Sequence, residues 1–238
     1  MECGTHAVIA ARLGTIYQGE RELASHLRGR VTGEMLVIAD RGFHSYQAWQ
    51  EFLPTGAALL RRVAAGLILD PLEVLPDGSY LAEISNRNSR SSRCRIPLAA
   101  VGGDPALATH IPVRVIEYRI DDTPDTETIR LITSILDPDQ ADAAELAAAY
   151  HQRWEIETAF REIEVGLLDG HGLRSKTPEL VRQEIWGLLL AHYALRAFAT
   201  EAADMEPDRI SFTRTLHLVR RQLLEPPAFS PRRGTPPP

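Results

Sequence analysis

The chain has 238 residues and is 44% hydrophobic, which is enough to bury the core of one large domain or of one domain with an insertion. Its net charge of −6 argues against a protein whose whole surface grips nucleic acid, although it allows a local basic track. The most apolar run, residues 185–199, is interrupted by His192 and Arg196 and is too short to cross a bilayer. No membrane partner is therefore expected.

The cysteines and the first residues say little about a special chemistry or address. Cys3 and Cys94 lie far apart and have no metal-ligand residues at a suitable spacing, so neither a disulfide framework nor a zinc site is indicated. The first residues lack the basic-then-apolar pattern of a secretion signal. A cytoplasmic location is the default expectation.

The first quarter of the chain alternates between patterns typical of strands and of helices. The predicted elements are a strand at 5–13, a helix at 20–30, a strand at 35–39, a helix at 45–52 and a strand at 57–63. The run 35–39 is apolar on both faces, which predicts a buried parallel strand. Asp40 would lie at the carboxyl end of that strand, where open α/β sheets bind ligands. A turn or helix-cap role for Asp40 explains the same pattern.

Residues 64–137 have a β-rich texture punctuated by Pro and Gly. Strands are predicted at 67–69, 79–84, 93–98, 111–120 and 128–136. Asp77-Gly78 is a hairpin-turn signal. Residues 86–95 form a loop rich in Ser and Arg, whose four arginines suit either a DNA backbone or an ordinary solvated loop.

The remaining sequence predicts three helices. The first is expected to start after Asp139 as its N-cap and to run to about Leu168, ahead of a break at 169–172. The second, 177–203, has Pro178 at its first position, and the third spans 212–224. Arg174 and Lys176 precede the second helix, where positive charge beside free N–H groups suits phosphate; a plain connector explains them equally well.

The first of these helices carries an unusual polar face. At about 100° per residue, Tyr150, Arg153, Glu157 and Glu164 fall within an arc of about 60°. An apolar stripe beside them is expected to pack against the domain; it consists of Ala149, Ile156, Phe160, Ile163 and Leu167. Taken alone, mixed charges at this spacing are more typical of a solvated helix than of a site.

The spacing Tyr150-x2-Arg153-x3-Glu157 resembles the C-terminal signature of the insertion-sequence-four group of DDE transposases. In that group a Lys follows seven residues after the Glu, and this chain has Glu164 there, which reverses the charge. Blocks at 2–8, 39–43 and 173–184 also resemble the family. Together the similar blocks cover most of the chain.

The resemblance implies an α/β fold with a ribonuclease H-like catalytic core that is incomplete at the N-terminus, an inserted β-rich subdomain and C-terminal helices. The implied division is 1–63 for the partial core, 64–137 for the insertion, 138–224 for the helices that complete the core and carry the catalytic Glu, and 225–238 for a disordered Pro-rich tail.

The resemblance also implies a site. In the family three carboxylates hold two divalent ions, Mg²⁺ or Mn²⁺, about 3.5–4 Å apart, which assist DNA cleavage and strand transfer. Asp40 and Glu157 take the places of the second and third carboxylates, as catalytic and metal-binding residues, and are expected to lie close together. The residues expected to contact DNA are Tyr150, Arg153, Arg41, Arg174 and Lys176. Glu164 is expected to weaken that contact because a carboxylate repels phosphate.

The family's first carboxylate has no counterpart here, because residues 1–14 contain only Glu2 as an acid. The sequence therefore predicts an amino-terminally truncated, inactive form of a cut-and-paste transposase that acts on transposon ends and target DNA, possible as a homo-oligomer. One alternative is a non-enzymatic remnant that binds DNA or interferes with a complete transposase. Another is an unrelated two-metal nuclease, which would not explain the spacing of Tyr150 and Arg153.

Overall fold

A computed structural model describes residues 1–86, 95–119, 128–202 and 210–224. The chain forms two compact units. The first unit comprises Ala10–Trp154. The second unit comprises Met1–Ile9 together with Glu155–Pro238. Within the described ranges, no helix combines the length and apolar character needed to span a membrane.

The unit of residues 10–154 is built on a sheet of six strands within its described part. The strands are β1 (Leu36–Ala39), β2 (Ala58–Val63), β3 (Glu73–Val74), β4 (Tyr80–Ser85), β5 (His110–Tyr118) and β6 (Ile129–Thr133). Their order across the sheet is β1-β2-β6-β5-β4-β3. β1 and β2 are parallel, with Ile38 opposite Leu60, and the other pairings between these six strands are antiparallel. The parallel strand predicted before Asp40 is confirmed, although β1 is half-buried rather than fully buried.

Helices cover the two faces of this sheet, and β2 shows why. Its side chains alternate, so Leu59 belongs to a core cluster with Trp49 of α2 (Tyr46–Phe52), whereas Leu60 belongs to a second cluster with Leu146 of α3 (Ala143–His151). A short helix, α1, spans Glu20–Ser25 and is followed by a 3₁₀ turn at Arg28–Arg30, in place of the single helix predicted over 20–30.

Side-chain caps set where α2 and α3 begin. Ser45 Oγ accepts a hydrogen bond from Ala48 N at 3.0 Å, which starts α2 where the sequence predicts it. The predicted N-cap Asp139 is wrong for α3. Asp142 caps this helix, because its carboxylate accepts from Glu145 N while Glu145 accepts from Asp142 N, a capping box that Asp139 has no partner to form.

The unit of residues 1–9 and 155–238 is helical in its described part. It contains α4 (Glu155–Arg161), a π turn (Glu162–Leu167), α5 (Pro178–Ala202) and α6 (Phe212–Leu224). The helices predicted over 177–203 and 212–224 are confirmed. The predicted break is confirmed as well, since Asp169 and Gly170 both have positive φ.

Several predicted elements are wrong. The helix expected to run unbroken to Leu168 is interrupted by a 3₁₀ turn at Gln152–Trp154 and by the π turn. These turns change the rotation per residue, so the predicted apolar stripe is not kept, and Ile156 and Phe160 are 39% and 56% exposed. Residues 5–13 and 67–69 form no strand, and neither segment contributes to the described sheet.

The predicted α/β class is confirmed, as one mixed sheet with helices. Strands β3 to β6, from the segment predicted to be an insertion, belong to the same sheet as β1 and β2. The ribonuclease H-like architecture and the proposed division at residues 63 and 137 stay predictions. Most of the Ser/Arg loop and all of the Pro-rich tail, 87–94 and 225–238, lie outside the described residues.

Candidate active site

Asp40 follows the last residue of β1 and starts the next turn. Its backbone is extended, with φ −76° and ψ 170°, and its Oδ1 accepts a hydrogen bond from Arg41 N at 2.7 Å, so it caps the 3₁₀ turn Arg41–Phe43. The carboxylate is still 43% exposed. The cap role that the sequence allowed is therefore present, and the carboxylate as a whole stays partly exposed to solvent.

The first two residues of the signature meet Asp40. Tyr150 Oη donates to Asp40 Oδ1 at 3.1 Å, and Arg153 Nη1 lies 3.6 Å from Asp40 Oδ2. Tyr150 is only 4% exposed, because its ring packs in the core cluster on the α3 side of the sheet. The sequence predicted it on an open polar face; the ring is buried instead, and only the hydroxyl reaches the carboxylate.

Arg153 is positioned by aromatic rings. Its guanidinium lies 5.6 Å from the ring centroid of Tyr150 and 5.0 Å from that of Trp154, within the range of cation–π attraction. The side chain is 16% exposed. The 3₁₀ turn at Gln152–Trp154 thus holds an arginine over two rings and beside Asp40, which suits a group that must keep its position while it binds an anion.

The surroundings keep Asp40 ionised. Burial acts to raise the pKa of Asp40, but the hydrogen bonds from Arg41 N and Tyr150 and the positive charges of Arg153 and Arg62 outweigh it and lower that pKa. For Tyr150, burial and the adjacent Asp40 charge raise the pKa to about 12. At neutral pH the pair is therefore a carboxylate and a neutral phenol that donates to it.

Arg62 is a site residue that the sequence analysis missed. It lies on β2, two residues after Leu60, so the alternation of a strand places it on the α3 face of the sheet, and its charge lowers the pKa of Asp40. The preceding Arg61 serves the opposite face, where its guanidinium lies 5.5 Å from the Trp49 ring and donates to Phe43 O at 3.1 Å. Because neighbouring residues of a strand point to opposite faces of the sheet, the sequence pair Arg61-Arg62 could have indicated that one arginine lies on the same face as Tyr150.

A Tyr150→Phe variant is expected to raise the pKa of Asp40 towards its ordinary value, because the lost hydroxyl stabilises only the ionised carboxylate. A pH titration of the Asp40 carboxyl carbon by NMR measures this. Tyr118→Phe is a matched control, since Tyr118 belongs to the same cluster and its hydroxyl has no hydrogen-bond partner among the described residues. An Asp40 pKa unchanged by Tyr150→Phe contradicts the assignment.

The other predicted site residues are exposed side chains. Arg41 follows Asp40 in the first unit. Glu157 on α4, together with Arg174 and Lys176, belongs to the second unit. That Asp40 and Glu157 lie close together therefore stays a prediction.

The segment with Arg174 and Lys176 is fixed by an acid. Glu184 of α5 accepts hydrogen bonds from Arg174 N at 2.9 Å and from Ser175 N at 2.8 Å. The bond from Arg174 N, followed by those from Ser175, lowers the pKa of Glu184. These backbone N–H groups already bind a carboxylate, so any phosphate contact at this segment falls to the exposed side chains of Arg174 and Lys176.

The chemistry of Asp40 fits a divalent cation. It offers an ionised oxygen ligand, partly exposed, of the kind that Mg²⁺ and Mn²⁺ prefer. Among residues 1–86, 95–119, 128–202 and 210–224, no group of three or more His, Cys, Asp or Glu side chains could hold a metal ion. Asp40 is the predicted metal ligand whose charge state and exposure are set out above.

Comparison with known proteins gives consistent results. A family model described as a transposase DDE domain matches residues 5–194. Transposase InsG for insertion sequence element IS4, from Escherichia coli K12, is 28% identical over 240 residues, covering 98% of this chain and 51% of the relative. The transposase for insertion sequence element IS421, from Escherichia coli, is 27% identical over 201 residues, covering 74% and 54%.

The chain spans about half the length of the curated relatives it matches. Among solved structures, the piggyBac transposase synaptic complex with hairpin DNA aligns with 96% of this chain and 48% of that chain, with a TM-score of 0.47 and 13% identity. The family model covers most of the chain, including Asp40, Tyr150, Arg153 and Glu157. The chain belongs to the DDE transposases of the insertion-sequence-four type.

Proposed function

We propose that this chain is an inactive segment of a cut-and-paste DNA transposase, that it carries two of the three catalytic carboxylates, and that its DNA partners are the ends of an insertion sequence and target DNA. The observation that carries the proposal is the convergence of Tyr150 and Arg153 on Asp40. Tyr150 and Arg153, at the signature spacing, both reach a carboxylate that precedes Tyr150 by 110 positions, which an ordinary solvated helix does not explain.

In this proposal Asp40 and Glu157 are two of the carboxylates that bind divalent metal. When bound, a pair of such ions supplies an activated nucleophile and a stabilised leaving oxygen. Tyr150 donates to Oδ1 of Asp40 and helps to keep the carboxylate ionised, while Oδ2, which lies beside Arg153, is the oxygen we assign to the metal. Arg153, beside Asp40 and braced by two rings, attracts the phosphate to be cut, and Arg41, Arg174 and Lys176 bind more distant phosphates.

Metal binding by the purified chain tests the carboxylate roles. Titration with Mn²⁺, followed by electron paramagnetic resonance of the free ion, is expected to show binding that Asp40→Asn and Glu157→Gln each weaken by about tenfold or more, equal to about 1.4 kcal/mol. Asp139→Asn and Glu164→Gln are matched controls, because both acids are exposed and lie outside the proposed ligand set. Equal loss in the controls would show a nonspecific acidic surface.

Nicking of transposon-end DNA with Mg²⁺ or Mn²⁺ tests the reaction itself. Since only two of three carboxylates are identified, we expect residues 1–238 alone to bind the DNA without nicking it. Metal-dependent nicking that Asp40→Asn abolishes would establish catalysis by this chain and place the third carboxylate within it. DNA binding without any metal binding would favour the non-enzymatic, interfering role instead.

A further inference from the structure

Helix α6 packs one face against a hydrophobic cluster, and its opposite, exposed face is basic. Phe212, Leu216 and Val219 pack in a cluster with Leu195 and Leu167. The opposite face carries Arg214, His217 and Arg221, all exposed, which line a shallow depression together with Leu218. Over seven residues the helix turns almost twice, so Arg214 and Arg221 project from nearly the same side.

This basic face contrasts with the protein as a whole. The chain carries a net charge of −6, whereas residues 212–224 contain three arginines and no acid. Within the described ranges, neither Arg214 nor Arg221 has a carboxylate at ion-pair distance. Arg220 differs, because its Nη2 donates to Gly166 O at 3.3 Å. Two arginines and one histidine are thus left available on one side of a well-packed helix.

We infer that the basic face of α6, defined as Arg214, His217 and Arg221, binds the phosphate backbone of duplex DNA. The inference rests on the proposed function in so far as DNA is the partner, and it assigns a contact surface separate from the signature residues and from Arg174 and Lys176. A polyanion is the occupant that matches uncompensated guanidinium groups on an acidic protein.

The spacing of the face suits a regular row of phosphates. Seven residues of helix separate Arg214 from Arg221 by about 10 Å along the helix axis. Phosphates of one strand follow one another at about 3.4 Å along the duplex, so two guanidiniums on long side chains can reach phosphates a few nucleotides apart. His217 lies between them and can donate an N–H to a third oxygen. Such contacts position a protein on DNA without reading sequence.

The test is the salt dependence of binding, measured by fluorescence anisotropy with the whole chain and a transposon-end duplex. Each phosphate contact contributes about 0.9 to the slope of log K against log salt concentration. The double variant Arg214→Gln/Arg221→Gln is therefore expected to reduce the slope by about 1.8. The same reduction is expected on an unrelated duplex of equal length, because the contacts are to the backbone.

Arg28→Gln/Arg30→Gln is the matched control, since it removes the same charge from exposed positions in the other unit. A slope unchanged by the α6 variant, or reduced equally by the control pair, overturns the inference. Failure of the unaltered chain to bind DNA overturns both this inference and the DNA partner of the proposed function. A third outcome is that the chain binds DNA and the α6 variant lowers the salt slope, but Asp40→Asn does not change Mn²⁺ binding. This result would support the basic face of α6 and contradict the assignment of Asp40 as a metal ligand.

Discussion

Replacing Arg114 with methionine is expected to destabilise the unit of residues 10–154 by about 3–5 kcal/mol, because it leaves a largely buried carboxylate without its partner. Arg114 on β5 is 0% exposed, and its Nη2 is paired with Asp77, whose side chain is 17% exposed. Its Nε donates to Ser79 Oγ and its Nη1 to Ala141 O, each at 2.7 Å. Methionine matches the bulk of the side chain and makes none of these bonds.

The Arg114 contacts connect the sheet to the helix that holds Tyr150. Asp77 also accepts from Ala143 N, the first residue of α3, at 2.9 Å. Burial acts to raise the pKa of Asp77, but the hydrogen bonds from Ser79, the charge of Arg114 and the bond from Ala143 N together lower it. Arg114 and Asp77 together therefore connect the hairpin turn, the loop before α3 and the start of α3.

Urea unfolding followed by circular dichroism measures the loss. Arg119→Met is the control: Arg119 is exposed just after β5, and surface changes of this kind stay within about 0.5 kcal/mol. Adding Asp77→Asn to Arg114→Met should recover part of the loss, because the stranded charge is then gone. An Arg114→Met protein as stable as the Arg119→Met protein would show that the buried pair is not a structural anchor.

The sequence predicted elements well where local chemistry decides them. α5 and α6 lie within a residue of their predicted bounds, because Pro178 and apolar spacing mark them. The start of α3 was predicted wrongly, although the signal was present: Asp142 is followed by Glu145 at capping-box spacing, and Asp139 has no such partner. Choosing between two caps needed the residue three positions on, not the cap residue alone.

The site was only partly predictable, because its geometry depends on contacts between distant residues. The signature spacing pointed to Tyr150 and Arg153, and both reach Asp40. The 3₁₀ turn that aims Arg153 was not predicted, since its local sequence is compatible with a continuous helix. In that turn Arg153 stacks on its sequence neighbours Tyr150 and Trp154 and also reaches the Asp40 carboxylate, a long-range contact that the local sequence does not reveal.

The sequence spacing also did not predict the side-chain contacts that join the π turn to α5 in the second unit. Glu162 of the π turn meets Arg196 and His192 of α5; Arg196 Nη2 pairs with Glu162 Oε1, and His192 Nε2 lies 2.8 Å from Oε2. Arg196 Nη2 also lies 2.8 Å from Nδ1 of His6, near the start of the chain. His192 is 0% and Arg196 4% exposed, so the predicted core helix buries a charged network at two of its interior positions.

A Glu162→Gln variant is expected to lower the free energy of unfolding of the second unit by about 3–5 kcal/mol at neutral pH, because Arg196 would keep a buried positive charge without its counterion. Arg196 also donates from Nη1 to Ile210 O at 3.3 Å and stacks on Phe212 at 5.6 Å, so its displacement loosens α6 as well. Glu164→Gln, two residues away in the same π turn and exposed, should leave stability nearly unchanged.

The same network predicts a pH dependence. Burial acts to raise the pKa of Glu162, but hydrogen bonds from His192 and Arg196, the adjacent His6 and the Arg196 charge lower it to about 2 from an ordinary 4.5. A carboxyl group whose pKa is lower in the folded protein than in the unfolded chain stabilises the folded state. This contribution is fully present above the pKa of the unfolded chain and is lost as the pH falls to the pKa of the folded protein. The stability contributed by Glu162 is thus complete above pH 4.5 and lost on acidification towards pH 2.

Urea unfolding at pH 7 and at pH 3 separates this effect from simple packing. The stability difference between the unaltered chain and Glu162→Gln should be large at pH 7 and clearly smaller at pH 3, because acid protonates Glu162 in the unfolded chain and begins to do so in the folded one. The double variant Glu162→Leu/Arg196→Met should recover stability that Glu162→Gln loses, because it leaves no buried guanidinium without a counterion. Its free energy of unfolding should also change less between pH 7 and pH 3. A difference that is the same at both pH values would mean that Glu162 acts through its shape, and that its charge is not what holds α5 to the π turn.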